Sequence, residues 1–250
     1  MAPLTRVLIA LGVAVVLFAA PAEAQQISID FGEGGEAGAG SLAGRSIQLL
    51  MLVTLLSLAP GLAIMVTCFP FIVTVLSILR QALGLQQSPP NMLIVSLALF
   101  LTYFVMEPVF TAAWSAGVEP LIAQTIAVEE AFVRAIEPFR GFMANRVEPA
   151  TFANLADLRP ATQELELSPE APLSLLVPSF LLSEIERAFQ IGFLIFLPFL
   201  IIDLVVAAIL MSMGMMMVPP AIVSLPFKLA FFVIADGWSL IAGSLVRSYF

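Results

Sequence analysis

The sequence predicts an all-α integral membrane protein: two helical hairpins with kinked helices, separated by a polar helical insertion outside the cytoplasm. Three observations lead there. Hydrophobic residues fill 60% of 250 positions and charged residues only 11%, whereas soluble domains carry about 25% charged and 45–50% apolar residues. Mean hydropathy is +1.05, so the chain lacks the polar side chains to cover itself in water. Finally, the apolar residues fall in four long blocks, at 47–79, 92–110, 189–211 and 221–246, each near or above the roughly 20 residues that cross a bilayer as a helix.

In chain order, residues 1–24 read as a secretory signal peptide. Arg6 provides the basic start, residues 7–20 a short apolar core, and Ala22-Glu23-Ala24 a small-residue cleavage site. The competing reading is an extra membrane helix. Cleavage after Ala24 would start the mature chain outside the cytoplasm. Residues 25–46 follow as a flexible leader, rich in glycine and too poor in apolar matter to offset the entropy of ordering.

The first hairpin spans 47–110. Its opening block exceeds one bilayer crossing and contains Pro60, Gly61 and Pro70, which predicts a bent helix or two shorter ones, since proline removes a backbone donor. Ser88-Pro89-Pro90 marks a turn into the next helix, which closes at Glu107-Pro108. Residues 111–183 form the polar insertion, with more acidic than basic side chains. Cytoplasmic loops are the ones enriched in Lys and Arg, so this acidity fits the outer side. Within it, 119–144 has helical apolar spacing and 145–172 reads as a loop. Residues 180–187 are an amphipathic run-in with Ser183 as a candidate N-cap. The second hairpin, 184–250, folds about the sequence Met213-Gly214-Met215-Met216-Met217-Val218-Pro219-Pro220.

Composition also excludes functions. A net charge of −8 and a single lysine, Lys228, do not suit a nucleic-acid partner. Cys68 stands alone, and histidine is absent, which removes the commonest general base and metal ligand together. No metal-ligand cluster, phosphate loop or dinucleotide turn is present in the sequence, and it predicts no enzyme activity and no cofactor.

Three ionisable residues sit inside apolar blocks: Asp203, Lys228 and Asp236. Such groups are costly in lipid and are paired or functional. If the last two blocks fold back about the Met-rich turn, Asp203 and Lys228 lie at equal depth, about 19 Å from the tip at 1.5 Å per helical residue. They read as an ion pair, within one hairpin or between copies, with a proton relay as the alternative. Asp236 would lie about 12 Å from Lys228 along a continuous helix and needs another partner. An aspartyl dyad of Asp203 and Asp236 is disfavoured by Lys228 between them. The methionines Met213, Met215, Met216 and Met217 admit two readings, an ordinary packed turn or a compliant seal, because thioether chains are unbranched and refill irregular gaps. Gly214 gives this loop backbone freedom, and Pro219 and Pro220 limit how far a helix can extend across it.

Leu55-Leu56-Ser57-Leu58-Ala59-Pro60 and the run 69–80 from Phe69-Pro70-Phe71 to Leu79-Arg80 form a first block, Pro89-Pro90-Asn91 with residues 97–102 a second, and residues 180–185 with 188–193 a third. Residues 198–204, the Met-rich stretch, Leu225-Pro226-Phe227-Lys228-Leu229 and Asp236-Gly237-Trp238 complete the pattern. In this order the stretches resemble the FliP family, flagellar export gate proteins, and the resemblance is collinear over most of 47–248. It implies a homo-pentamer joined with FliQ and FliR in a helical, ring-like export gate of the bacterial inner membrane at the flagellar basal body, with FlhB and FlhA as further partners. It also implies that the Met-rich loop is a gasket closing a channel for unfolded flagellar polypeptides, and that Asp203 and Lys228 are assembly contacts. The competing class is a secondary transporter of a small solute, using Asp203, Lys228 and Asp236 as its coupling site.

Overall fold

The computed structural model describes residues 40–250 except Gln86, Gln87, Glu164 and Met216. The expected signal peptide and the leader as far as residue 39 lie outside the described residues. Among those described, all regular structure is helical.

Helix α1, Gly40–Met65, starts inside the stretch expected to be leader. Leu42, Ala43 and Arg45 are good helix formers, so the helix propagates upstream of the apolar block. Between Ile47 and Met65 every described side chain is exposed. The expected interruption of the first block falls at residues 66–68, and α1 runs through Pro60. Thr67 Oγ1 donates to Ile64 O at 2.7 Å, and Pro70 takes an early position in α2, Phe69–Ala82, where a missing N–H is harmless.

Helix α2 is the hub. Phe71, Ile72, Val75, Leu76, Leu79 and Ala82 form one buried stripe that packs against α3, α7, α8 and α9 in the main core. Gly192 of α7 lets the two backbones approach: a Cβ there would sit 2.4 Å from Ile78 Cδ1.

Helix α3, Asn91–Ala113, does not close at Glu107-Pro108 as the sequence suggested. It passes through Pro108 into a π-helical turn, Trp114–Val118, and then α4, Glu119–Ile122. The widened turn takes up the irregularity that a helical proline creates. Gly117 lies against α5, Val128–Arg146; a Cβ on it would come within 2.5 Å of Ala131 O. The expected single helix over 119–144 is therefore two helices broken at residues 123–127, where Gln124 adopts φ of +56°.

The expected loop over 145–172 contains α6, Pro149–Ala156. Proline at its first turn and the burial of Phe152 and Ala156 at an i, i+4 spacing explain it. With Met143, Leu176 and Phe180 these residues form a second, smaller core.

Helix α7, Leu173–Ser212, runs unbroken for 40 residues, about 60 Å. Ser183 is consequently not an N-cap. It lies inside the helix, donates to Ser179 O at 2.8 Å and accepts from the Glu148 N–H at 2.9 Å, tying α7 to the start of α6. Helix α8, Pro220–Ile234, and α9, Gly237–Arg247, meet at a 61° bend. The fourth apolar block is thus two helices rather than one. Asp236 at the break is left-handed, with φ of +48°.

Among the described residues, Ile47–Met65, Asn91–Ile122 and Leu173–Ser212 are long and apolar enough to cross a membrane, and the bent α8–α9 pair makes a fourth candidate.

Candidate functional site: a sulfur-rich turn and two buried polar clusters

The turn between α7 and α8 is built by the end of α7. Gly214, at φ of +75°, donates its N–H to Met211 O at 3.0 Å, and Met215 N–H reaches Leu210 O at 3.0 Å. This is the paired 5→2 and 6→1 pattern of a Schellman cap, which satisfies two helix-end carbonyls and turns the chain sharply. Pro219 occupies the N-cap of α8 and Pro220 its first turn, so α8 cannot extend backwards across the turn. Three thioethers are thereby displayed: Met213 is 64%, Met215 38% and Met217 97% exposed. Met216 lies outside the described residues.

Asp203 and Lys228 meet inside one hairpin. Lys228 Nζ donates to Asp203 Oδ2 at 2.6 Å and to Ala82 O, at the end of α2, at 3.1 Å. Ser224, one turn before Lys228 on α8, donates to Asp203 Oδ1 at 2.5 Å. Lys228 is only 4% exposed, while the Asp203 side chain keeps 30%. A buried ammonium needs a counter-charge and hydrogen-bond acceptors, and here both come from two different helices. The effect is to pin α8 to α7 and to α2 behind the methionine turn.

Asp236 is not part of this cluster. The helical distance of about 12 Å from Lys228 does not apply, because α8 ends at Ile234. Asp236 is exposed and accepts from Ser239 Oγ at 3.1 Å. A coupling site made of Asp203, Lys228 and Asp236 together is therefore not assembled within the chain.

A second polar cluster escaped sequence reasoning. Glu184 of α7 is fully buried. Its Oε1 accepts from Arg146 Nε at 3.0 Å and Arg187 Nη1 at 3.3 Å, and its Oε2 accepts from the Tyr249 hydroxyl. Arg146 also donates to Ser248 O at 2.8 Å, and its guanidinium lies 4.0 Å from the Tyr249 ring centre. The signal was available: Leu176, Phe180, Glu184 and Ala188 recur every four residues, which places Glu184 on one face with the core residues. Burial, then the adjacent Glu184 carboxylate, holds the Tyr249 phenol far above its usual range. Nearby, Cys68 is buried between α1 and α2, and burial, as the largest cause, pushes its thiol up to about 12. Such a thiol is inert packing rather than a nucleophile.

Fold and site together define a class: a helical membrane protein whose charged groups bind helices to one another and whose most exposed special feature is a methionine turn. The chain matches the FliP family over residues 52–245. It is 50% identical to the flagellar biosynthetic protein FliP of Caulobacter vibrioides over 99% of this chain and 91% of that protein. The FliP proteins of Bacillus subtilis, 47% identical over 82% of this chain and 92% of theirs, and of Aquifex aeolicus, 45% over 82% and 86%, are similar. The chain belongs to the FliP family, whose members are flagellar biosynthetic proteins and not enzymes.

Proposed function

We propose that this chain is a pore-forming subunit of the flagellar type III protein export gate, set in the bacterial inner membrane at the basal body with its mature N-terminus extracytoplasmic. It assembles as a homo-pentamer in a ring with FliQ and FliR, contacts FlhB and FlhA, and passes unfolded flagellar polypeptides. At rest the methionine turn seals the channel.

One observation carries the sealing role. The turn holds Met213, Met215 and Met217 outward from a capped helix end, braced from behind by the Asp203–Lys228 pair. Exposed thioethers on a rigid hairpin gain from burial only against other apolar matter. Copies arranged about an axis provide that matter, and the unbranched chains yield when a polypeptide passes. Asp203 and Lys228 serve as bracing that holds the loop in place, and Asp236 sets the α8–α9 bend.

The test is conductance of membranes containing the assembled gate. Replacing Met215, Met216 and Met217 together with Ala is expected to leave assembly intact while ion leakage rises above the unmodified gate. Unchanged conductance in an intact assembly refutes the seal.

A further inference from the structure

Four methionines alternate along the end of α7 and the turn after it, at positions 211, 213, 215 and 217. All four are exposed, Met211 and Met213 at 64%, Met215 at 38% and Met217 at 97%. Leucine, which α7 uses freely, would make the turn equally apolar. What leucine lacks is the thioether sulfur, a soft donor of the kind that selects Cu(I).

The fold keeps these side chains within reach of one another. The bonds from Gly214 N–H to Met211 O and from Met215 N–H to Leu210 O double the chain back on the end of α7, and Val218 N–H to Met215 O, at 3.4 Å, closes a second turn behind it. Successive donors are two residues apart, so their Cα atoms are separated by at most about 7 Å. Each methionine is unbranched, with three rotatable bonds, and can swing its sulfur toward an ion between them.

Charge decides which ion fits. No charged side chain occurs between Asp203 and Lys228, and those two compensate each other. Mg²⁺ and Ca²⁺ need sets of oxygen ligands that include carboxylates, which this turn lacks. A soft monovalent cation exchanges water for neutral sulfur and brings one charge only. The sequence excludes a metal site of histidine, cysteine or carboxylates, and none is assembled among the described residues; thioethers are a different ligand class. Cys68, the other soft donor, is fully buried. The other exposed methionines among the described residues, Met51, Met65 and Met92, each stand alone in the sequence.

We propose that Met211, Met213, Met215 and Met217 form a thioether site for a soft monovalent metal ion, Cu(I) or the redox-inert Ag(I). A bound ion ties the two sides of the turn together and stiffens it. The site belongs to a single chain and stands whether or not the turn seals a channel.

The test is titration of the purified full chain with Ag(I) in detergent and chloride-free buffer, followed through the methyl NMR signals of its methionines. A Cys68→Ala background leaves thioethers as the remaining soft donors. One ion per chain is expected, with shifts at the methyls of Met211, Met213, Met215 and Met217 and none at Met51 or Met92. Replacing those four with Leu, which keeps apolar volume, should weaken binding by about tenfold or more, while Met51→Leu and Met92→Leu bind as the unmodified protein does. If the fourfold variant does not fold, Met217→Leu decides, because a side chain 97% exposed contributes almost nothing to packing. Weaker binding by about threefold supports the site, and unchanged affinity overturns it. Equal shifts at all exposed methionine methyls, or a folded fourfold variant that binds Ag(I) as tightly as the unmodified protein, overturn it as well.

Discussion

Replacing Asp203 with Asn should cost far more stability than replacing Lys228 with Met, and the structure sets the asymmetry. Without the Asp203 charge, the Lys228 ammonium stays 4% exposed with Ala82 O as its remaining charge-independent acceptor, at 3.1 Å. Breaking a buried pair by removing one partner costs about 3–5 kcal/mol. Without Lys228, Asp203 retains the Ser224 hydroxyl and 30% exposure of its side chain, so water can solvate it, and about 1–2 kcal/mol is expected for the lost bond. For a chain of this size, each kcal/mol moves the melting temperature by about 2–4 °C. Asp203→Asn should therefore melt about 6–20 °C lower and Lys228→Met about 2–8 °C lower. The double variant Asp203→Leu with Lys228→Met removes both charges and should return to within about 1 kcal/mol of the unmodified protein, because a buried pair is often replaceable by apolar side chains. The assay is thermal unfolding of the purified full chain in detergent, followed by tryptophan fluorescence. Trp238 packs edge-on to Phe232 of α8 at 5.4 Å and so reports on that helix. Two results refute the reasoning: Lys228→Met more damaging than Asp203→Asn, or a double variant whose loss equals the sum of the singles, since coupled neighbours do not add.

Further outcomes follow from the packing. Gly192→Ala places a Cβ 2.4 Å from Ile78 Cδ1 at the α2–α7 crossing and should cost about 1–3 kcal/mol, with partial recovery in the double variant with Ile78→Val, read from the same melts. Stability should also fall at alkaline pH. Cys68 binds its proton more tightly when folded, its thiol rising from 9.0 to about 12, so its contribution is full below pH 9.0 and is lost as pH climbs toward 12. Cys68→Ala should flatten the decline of melting temperature in that window, and an unaltered slope would contradict the assignment.

How much of this was legible beforehand depends on the length scale of the cause. The apolar blocks, the hairpin about the methionines and the matching depth of Asp203 and Lys228 follow from local composition and helical rise, which act over neighbouring residues. Where proline breaks a helix did not follow. Pro60 and Pro108 lie inside helices, whereas the real interruptions fall at residues 66–68 and at Asp236. A proline's local cost is a few kcal/mol, and at Pro108 the packing of Val105, Met106 and Val109 in the main core outweighs it. Ser183 shows the same: its preference for a cap was overruled because α7 gains more by continuing along the two cores.

The sequence by itself determined that these helices are apolar, where their apolar blocks lie, and that thioethers and a lone lysine stand on the second hairpin, because those properties belong to each residue and its near neighbours. Only the tertiary structure decided that Lys228 reaches the end of α2, that Glu184 gathers Arg146, Arg187 and Tyr249, and that Asp236 bends a helix instead of joining the buried pair. Those pairings join residues as far as 146 positions apart, and burial and counter-charge act through space, where one-dimensional spacing carries no information.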